Sequence, residues 1–444
     1  MNSSFSPLRS GAAITQVFAR EILDSRGRPT IEVDVILSDG TAGRASVPSG
    51  ASTGSHEAHE LRDGDPTRFG GLGVRRALVS VTETIAPVVR GRDPFDQAGL
   101  DAVLVELDGT YDRSRLGANA MLGVSMAIAR AAAASRGVPL WRHLSLDRAP
   151  MLPLPMVNIV SGGLHSTGGL AFQDFLVVPI GAATYGSALE TVYAVRAATF
   201  ELLAERGLST LKADEGGFGP ALSRPEEALD LLVAAVVKAG HRPGDDVMFA
   251  LDVAATHFFD GRHYRLPEAR ASLSAQELTS TLERLVDGYP IVSIEDGLAE
   301  DDWEGWAALT RSLGRRVQLV GDDLFATNIK RVGRGISSGV ANAVLVKMNQ
   351  IGTLTETVEV IEQARAAGYA TVVSARSGET EDSFLADFAV GTCAGQIKIG
   401  SLAQSERLSK YNQLLRIEEE LGSQARFAGA GALSRWTHHG PGPV

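Results

Sequence analysis

The first 150 residues of the chain carry two hydrophobic patterns. In "TIEVDVIL" (residues 30–37) apolar side chains alternate with acidic ones, which predicts a half-buried strand. The Asp39-Gly40 pair that follows is a hairpin signal, so "TAGRASV" (residues 41–47) is expected to return as the partner strand. "GANAMLGVSMAIARAAAASRG" is rich in alanine and stops at Gly137, which predicts a helix.

These patterns predict an α+β domain over residues 15–150. The segment "MNSSFSPLRSGAA" has no long apolar run, so residues 1–14 are expected to form a flexible tail. The segment "MLPLPMVNIV" contains two prolines and is interpreted as the crossing into a second domain, residues 151–444.

From about residue 245 the pattern becomes regular, because short apolar runs alternate with amphipathic helices. The helical segments include two with capping boxes, formed by Ser274 with Glu277 and by Thr353 with Glu356. The apolar runs are "VMFALDV", "PIVSIED", "VQLVGDD", "AVLVKMN", "ATVVSARS" and "AGQIKIG". This alternation predicts parallel βα units, and six or more of them favour a closed β/α barrel over an open doubly wound sheet. The predicted fold class is therefore α/β, with an N-terminal α+β domain and a C-terminal β/α barrel.

The composition restricts the classes of function. The chain has 444 residues, of which 44% are hydrophobic and 21% charged, as is typical of globular proteins. Its net charge of −11 argues against a nucleic-acid or anionic-membrane partner, and no segment approaches the length of a membrane span. The one cysteine, Cys393, excludes an internal disulfide and fits a reducing compartment. We therefore expect a cytoplasmic protein without nucleic-acid or membrane partners.

Each apolar run ends in, or is interrupted by, one charged residue. The spacing between these residues, after the first step, is close to one βα unit. In chain order they are Asp252, Glu295, Asp322, Lys347, Arg376 and Lys398. In a barrel such residues meet at the mouth formed by the C-terminal ends of the strands, where active sites are built. Three anions followed by three cations in register are difficult to explain as solvated surface.

The three anions predict a metal site. Asp252, Glu295 and Asp322 supply only hard oxygen ligands, which suits Mg²⁺ far better than Zn²⁺. Three converging carboxylates without a cation would repel one another. The alternative is that each carboxylate pairs with a nearby lysine or arginine.

The three cations predict a site for an anionic substrate that carries a phosphate or a carboxylate. Arg376 suits a bidentate grip on such a group. Lys347, placed among other cations and shielded from water, has reason to lose its proton and act as a base. The alternative is a lysine that leaves its strand and reaches solvent.

Three loops carry weaker signals. "KADEGGFGP" places Glu215 before paired glycines that let a ligand approach the backbone, although an ordinary acidic turn also explains it. "SGGLHSTGGL" holds His165, and a loop histidine is most often solvated. "PSGASTGS" (residues 48–55) is a small-residue loop that fits either a lid or a linker.

Together these segments resemble the enolase family, the 2-phosphoglycerate dehydratases of glycolysis. The resemblance runs from "REILDSRGRPT" to "KYNQLLRIEEELG", nearly the whole chain. Its specific stretches are "VPSGASTGSHEA", "ELRDGD", "DEGG", "PIVSIEDGL", "VGDDLFATN", "KMNQIGTLTET" and "RSGETEDS". The resemblance implies an enolase-type barrel that begins with an antiparallel strand, and a homodimer or a larger homo-oligomer.

The resemblance also implies a role for each matching position. It implies two Mg²⁺ ions, one of which binds with the substrate. The ligands of the first ion are matched by Asp252, Glu295 and Asp322, and a ligand of the second ion by Ser52. The base is matched by Lys347 and the acid by Glu215. Positions around the substrate are matched by His165, Gln173, Asp174, Arg376, Ser377 and Lys398. The implied activity is that of a hydro-lyase, in which Lys347 removes the proton beside the carboxylate of 2-phosphoglycerate. Glu215, protonated at that step, then helps the hydroxyl group leave as water, which yields phosphoenolpyruvate.

The chain departs from the usual family pattern at four places. Ala375 stands where the family commonly has a histidine, Asp174 where it has a glutamate, and Ile399 where it has a threonine. "STGG" follows His165 in place of the usual acidic and amide residues. Three readings follow: neutral drift in an ordinary enolase, a paralog of phosphonate or phosphinate metabolism similar to carboxyphosphonoenolpyruvate synthase, or a non-catalytic binding protein on an enolase scaffold. The intact metal and base positions argue against the third.

Overall fold

The molecule is described here by a computed structural model. The described residues are 11–50, 54–145, 148–166, 169–266 and 272–436. The tail expected over residues 1–14 lies mostly outside them, and so does Ser52. The first strand begins at Ile14.

A three-stranded antiparallel sheet opens the fold. Its strands, in spatial order, are β1 (Ile14–Leu23), β2 (Pro29–Leu37) and β3 (Ala42–Ser46). The alternation expected in β2 is confirmed, because its side chains from Ile31 onwards are buried at every second position. The expected hairpin is confirmed as well: Gly40 adopts a φ of 84°, the left-handed conformation that a tight turn needs and glycine tolerates.

Short and long helices complete the first domain. They are α1 (Arg75–Val79), a π-helical segment (Ser80–Ile85), α2 (Ala86–Val89), α3 (Gln97–Asp108), α4 (Ala118–Arg136) and α5 (Leu140–His143). The alanine-rich segment forms α4, which ends at Gly137 as expected. It packs on β2 and β3 so closely that a Cβ atom at Gly43 would lie 2.2 Å from the carbonyl oxygen of Ala127. Small side chains on both elements permit this approach.

Eight further strands form a closed barrel. They are β4 (Leu154–Ser161), β5 (Asp174–Val178), β6 (Met248–Asp252), β7 (Ile291–Glu295), β8 (Gln318–Gly321), β9 (Ala343–Val346), β10 (Ala370–Ser374) and β11 (Gly395–Gly400). Strand β4 pairs with β11 and closes the ring. The barrel prediction is therefore confirmed and the open doubly wound sheet is wrong.

Two sequence-based expectations about the barrel need correction. The segment "MLPLPMVNIV" does not merely cross between domains, because most of it forms the first barrel strand, β4. The antiparallel strand is not the first but the second: β4 runs parallel to β11, whereas β5 is antiparallel to both β4 and β6. Prolines at the start of β4 obscured its strand pattern.

Helices surround the barrel. They are α6 (Tyr185–Glu205), α7 (Pro225–Lys238), α8 (Ala275–Gly288), α9 (Trp303–Leu313), α10 (Ile329–Ser338), α11 (Leu354–Ala366), α12 (Phe384–Gly391) and α13 (Ser405–Leu421). The capping box at Ser274 and Glu277 is confirmed. At α11, Thr353 accepts the Glu356 amide, but the Glu356 carboxylate pairs with Arg113 of the first domain rather than with the Thr353 amide.

Apolar side chains fill the barrel at the end opposite its mouth. Leu433 and Trp436, which follow every barrel strand in the chain, pack there against the starts of the parallel strands. The interior also contains a polar pair. Gln318 and Gln396 exchange two side-chain hydrogen bonds of 3.1 and 2.7 Å. Because each amide satisfies the other, the pair avoids the cost of buried unpaired polar groups.

The two domains are joined by buried polar contacts as well as by packing. The carboxylate of Asp101 on α3 accepts hydrogen bonds from the amide and the hydroxyl of Thr355 at the start of α11, at 2.9 and 2.6 Å. Arg113 and Glu356 form a second contact, at 2.5 Å. Within the part of the chain that the structure describes, no helix has both the length and the apolar character of a membrane span.

Candidate active site

The charged residues singled out by their spacing lie around the mouth of the barrel. Because of the strand order, the acidic residues and the cationic residues occupy two adjacent parts of the ring of strands. The acidic group, on or just after β6–β8, is Asp252, Glu295 and Asp322; the cationic group, on or just after β9–β11, is Lys347, Arg376 and Lys398. Five of the six are less than 9% exposed, and the side chain of Lys347 is 13% exposed. The alternative of a lysine that reaches solvent is therefore wrong for Lys347.

Lys398 bridges two of the predicted metal ligands. Its Nζ atom lies 2.7 Å from Oδ2 of Asp252 and 2.8 Å from both carboxylate oxygens of Glu295. Burial lowers the pKa of Lys398, but Asp252 and Glu295 raise it by more, so that it lies well above its ordinary value. The sequence-based expectation placed this ammonium opposite the acids, facing a substrate anion. In the structure, the ammonium group of Lys398 instead pairs directly with the carboxylates of Asp252 and Glu295.

Lys347 pairs with the third acid. Its Nζ lies 2.5 Å from Oδ2 of Asp322, and Gln350 donates a hydrogen bond of 2.9 Å to the other oxygen of that carboxylate. Burial lowers the pKa of Lys347, but Asp322, Glu295 and Glu57 together raise it by more, so the net direction is upward. The expected downward direction is not found, because a carboxylate in direct contact outweighs the more distant cations.

A second acidic group was missed by the sequence reasoning. Oxygens of Asp296, Asp322 and Asp323 lie within 4.8 Å of one another. Asp296 accepts the backbone amides of Asp322 and Asp323 at 2.9 and 2.8 Å and so fixes the turn after β8. Burial and the neighbouring Asp322 raise the pKa of Asp323 to about 8. The adjacent acidic residues in "SIED" and "GDD" were the sequence signal that could have indicated this group. Asp252, Glu295 and Asp322 do not form so compact a group, since Lys398 lies between the first two.

The weaker loop signals come together in three dimensions. Nδ1 of His165 lies 3.0 Å from Oδ2 of Asp174, and Nε2 lies 3.9 Å from Oε1 of Glu215. All three side chains are buried. Burial lowers the pKa of His165, but Asp174 and Glu215 raise it by more, to about 9. Burial raises the pKa of Glu215, but the positive charge of His165, together with those of Arg407 and two lysines, outweighs burial and holds it below its ordinary value. The pair therefore keeps its proton on the histidine.

Two residues that the sequence reasoning missed hold Asp174. Its Oδ1 atom accepts hydrogen bonds from Nδ2 of Asn158 at 2.5 Å and from Oγ of Ser161 at 2.8 Å. Both donors lie on β4, next to β5. Because Asp174 is the first residue of the antiparallel strand β5, it reaches the mouth from the start of its strand rather than from the end.

We expect a titration of the His165 imidazole by nuclear magnetic resonance to give a pKa near 9, and Asp174→Asn to lower it. A histidine pKa raised above its ordinary 6.5 stabilises the folded state fully below pH 6.5, and this contribution is lost as the pH rises through 9. The free energy of unfolding of wild type should therefore fall relative to that of His165→Gln over this interval. A His165 pKa near 6.5 would contradict the assignment.

The side of the mouth where the sequence predicts anion binding is formed by Arg376 and its neighbours. Its Nη1 atom donates to Oδ1 of Asn349 at 2.8 Å. The buried guanidinium of Arg407 on α13 donates to the backbone carbonyls of Arg376 and Ser377, at 2.5 and 2.7 Å. Arg407 thus fixes the backbone of the segment that carries Arg376 and Ser377.

One small cavity, of about 20 Å³, connects both halves of the mouth. Lys347 and Glu215 both line it, together with Arg376 and Gln173. Gln173 donates to Asp252 at 3.1 Å, while its Oε1 atom is buried and has no hydrogen-bond partner among the described residues. The cavity is therefore lined by an amine, a carboxylate, a guanidinium and an amide oxygen that has no partner among the described residues.

A closed β/α barrel whose mouth combines buried carboxylates, a lysine and a histidine–glutamate pair is typical of an acid–base enzyme, and its carboxylates could hold a metal ion. Residues 14–144 match the family model for the N-terminal domain of enolase, and residues 149–435 that for its C-terminal TIM barrel domain. An enolase of Acidothermus cellulolyticus is 57% identical over 430 residues, which cover 96% of this chain and 98% of that protein. The chain belongs to the enolase family, and it is a hydro-lyase.

Membership of this family implies the use of Mg²⁺ and a phosphorylated small-molecule substrate. The identity over nearly the full length favours an ordinary enolase over a diverged paralog of phosphonate metabolism and over a non-catalytic scaffold. Of the departures from the family pattern, Asp174 contacts Asn158, Ser161 and His165, and Ala375 lines the cavity.

Proposed function

We propose that this protein converts 2-phosphoglycerate to phosphoenolpyruvate and water. The observation that carries the proposal is that Lys347 and Glu215 line the same cavity as Arg376 and Lys398. A base and a carboxyl group on one cavity can remove a proton from one carbon and assist the departure of a hydroxyl group from the next. A buried guanidinium beside them suits the substrate phosphate.

Two Mg²⁺ ions are part of the proposal. Asp252, Glu295 and Asp322 hold the first, and Ser52, outside the described residues, contributes to the second. The chemistry of the donor set fits, because it consists of buried carboxylate oxygens, although Lys398 and Lys347 pair with them in this structure. The orphaned Oε1 of Gln173 on the cavity wall adds an acceptor. When bound, the ions stabilise the negative charge that develops on the substrate carboxylate.

Lys347 is proposed as the base. It accepts a proton only in its neutral form. The contact with Asp322 opposes loss of the ammonium proton, whereas the positive charge of Arg376 lowers the pKa of Lys347 and favours it. The burial of Lys347 also disfavours the charged form. Whether Lys347 is charged or neutral therefore depends on the charges that surround it when substrate is present.

Glu215 and His165 together are proposed as the acid. The sequence-based interpretation assigned the proton to Glu215, whereas the pKa directions of the two groups favour its residence on His165, 3.9 Å away. The pair holds one transferable proton, which Glu215 can pass to the leaving hydroxyl group. Asp174 keeps His165 charged and oriented.

The remaining sequence-matched residues are proposed to bind the substrate. Arg376 and Ser377 are assigned to the phosphate. Lys398 and Gln173 are assigned to the carboxylate end, because both already contact Asp252. The test is a Mg²⁺-dependent assay with 2-phosphoglycerate that follows the absorbance of the enolpyruvate product. An ordinary enzymatic rate, near about 10 s⁻¹, supports the proposal, and no turnover refutes it.

We expect Asp322→Asn to shift the Mg²⁺ dependence of activity to higher concentration, by at least about ten-fold, which is the lower end of what losing an outer-shell partner alone costs. The reason is the loss of a charged oxygen ligand. Binding of Mn²⁺ followed by electron paramagnetic resonance gives a readout independent of turnover. Asp387→Asn is the matched control, since Asp387 is buried on α12 and bonded to Trp141 and Gln413. An unchanged Mg²⁺ midpoint in Asp322→Asn means that Asp322 is not a ligand.

A homodimer or larger homo-oligomer and a cytoplasmic location are also proposed. The first rests on family membership, because enolases are commonly dimers or larger. The second rests on the single cysteine, Cys393. Sedimentation velocity of the purified chain tests the oligomeric state, and fractionation of its source cells tests the location. The boundaries 15–150 and 151–444 stay a prediction, which limited proteolysis between the domains tests.

A further inference from the structure

The first domain contributes a carboxylate to the anion-binding side of the mouth. Glu57 forms a bidentate ion pair with Arg376: Oε2 lies 2.9 Å from Nη1, and Oε1 lies 3.1 Å from Nη2. The side chains are 7% and 2% exposed, so the pair is almost fully removed from solvent. Bidentate arginine–carboxylate pairs fix the plane of the guanidinium as well as its position.

Glu57 is itself held in place. Its Oε1 atom also accepts a hydrogen bond from the backbone amide of Gly54 at 3.1 Å and one from Nε2 of Gln350 at 3.3 Å. Gln350 is completely buried, and its own oxygen accepts the hydroxyl of Thr327 at 2.6 Å. A carboxylate with this many partners cannot change rotamer freely, so it is a rigid support rather than a mobile counterion.

A role in joining the domains does not account for Glu57. Asp101 with Thr355 and Arg113 with Glu356 already join the domains away from the mouth. A carboxylate beside the guanidinium that must bind a phosphate also repels that phosphate, which is a disadvantage for binding alone. The arrangement is useful where orientation matters more than affinity, because a small misplacement of a bound substrate is costly in rate.

We infer that Glu57 is a positioning residue, supplied by the first domain, which fixes the guanidinium of Arg376 in the orientation that the substrate phosphate needs for reaction. The inference rests on the function proposed above. It predicts a separation of rate from affinity. Without the Glu57 charge the phosphate loses a repulsive neighbour, so binding holds or improves, while the loosened guanidinium admits unproductive orientations.

The test compares Glu57→Gln with wild type in the complete chain. We expect kcat for 2-phosphoglycerate to fall on the order of 10- to 100-fold, while KM and the Kd of inorganic phosphate do not rise. Glu356→Gln is the matched control, because it also neutralises a glutamate that pairs with an arginine across the domains. It should leave kcat within about two-fold. In an Arg376→Lys background, which lacks the guanidinium fork, Glu57→Gln should change kcat by less than about two-fold.

The outcomes separate the inference from the proposed function. No turnover by wild type refutes the proposed function. Turnover by wild type with an unchanged kcat in Glu57→Gln refutes the inference alone. Equal losses from Glu57→Gln in the wild-type and Arg376→Lys backgrounds, or a loss that follows the urea midpoint of unfolding, assign Glu57 a merely structural role and also overturn it. Glu57→Asp, which keeps the charge and moves it back by one methylene, should recover part of kcat.

Discussion

Lys347→Ala is expected to stop exchange of the substrate α-proton with deuterated solvent. Removal of a general base costs about 10²- to 10⁴-fold, and within the described residues no other lysine lines the cavity except Lys398, which is engaged by Asp252 and Glu295. The fold should be retained, because Gln350 still donates to the Asp322 carboxylate that Lys347 leaves behind. Circular dichroism and urea unfolding check this.

Lys238→Ala is a suitable control, since its ammonium pairs with Glu201 and Glu205 on the surface of α6. This variant should exchange the α-proton at the wild-type rate. If Lys347→Ala also exchanges at that rate, another group removes the proton and the assignment of the base is wrong. If exchange is lost together with Mn²⁺ binding, the lysine acts by maintaining the metal site instead.

Glu215→Gln is expected to give the complementary result. Dehydration should fall by about 10²- to 10⁴-fold, while α-proton exchange stays within a few-fold of wild type, because Lys347 is untouched. The amide cannot accept and pass on a proton from the imidazole of His165, whose Nε2 atom lies 3.9 Å from Oε1 of Glu215. Loss of the Glu215 charge should also lower the pKa of His165, which the imidazole titration can follow.

The neighbouring Asp214→Asn supplies the control for Glu215→Gln. Asp214 lines a surface pocket with Lys212 and Gln404. This pocket also touches His165, but Asp214 itself does not line the cavity shared by Lys347 and Glu215. Its substitution should leave both dehydration and exchange near wild-type rates. Equal losses of exchange and dehydration in Glu215→Gln would show that Glu215 acts before or during proton removal, which contradicts its assignment as the acid.

The mouth of the barrel could be predicted from sequence spacing because most of its strands are parallel. In a parallel barrel, every strand delivers its C-terminal end to the same side, so charged residues at strand ends such as Asp252 and Glu295 must converge. Gln173 and Asp174 escape this rule. Gln173 directly precedes β5 and Asp174 begins it, and because this strand runs antiparallel its start lies at the mouth. Only the family resemblance pointed to them.

Contacts between distant segments of the chain could not be predicted from the spacing of charged residues in the sequence. Glu57 meets Arg376 across the two domains, and nothing in the local pattern of "STGSHEA" indicates that partner. The pairing of Lys347 with Asp322 likewise depends on how far each side chain extends across the mouth. Strand positions determine which charges face one another, but the pKa directions follow from distances of a few ångströms.

The position of Trp436 and Leu433 has a consequence for the synthesis of this protein. These two side chains complete the floor of the barrel but follow all eight of its strands, and the ring itself closes only when β11 meets β4. A nascent chain that has already released the first domain still lacks both. Strand edges and apolar residues such as Leu154 stay exposed until the chain has been synthesised as far as Trp436, so the barrel depends on late, long-range contacts and on protection from aggregation until then.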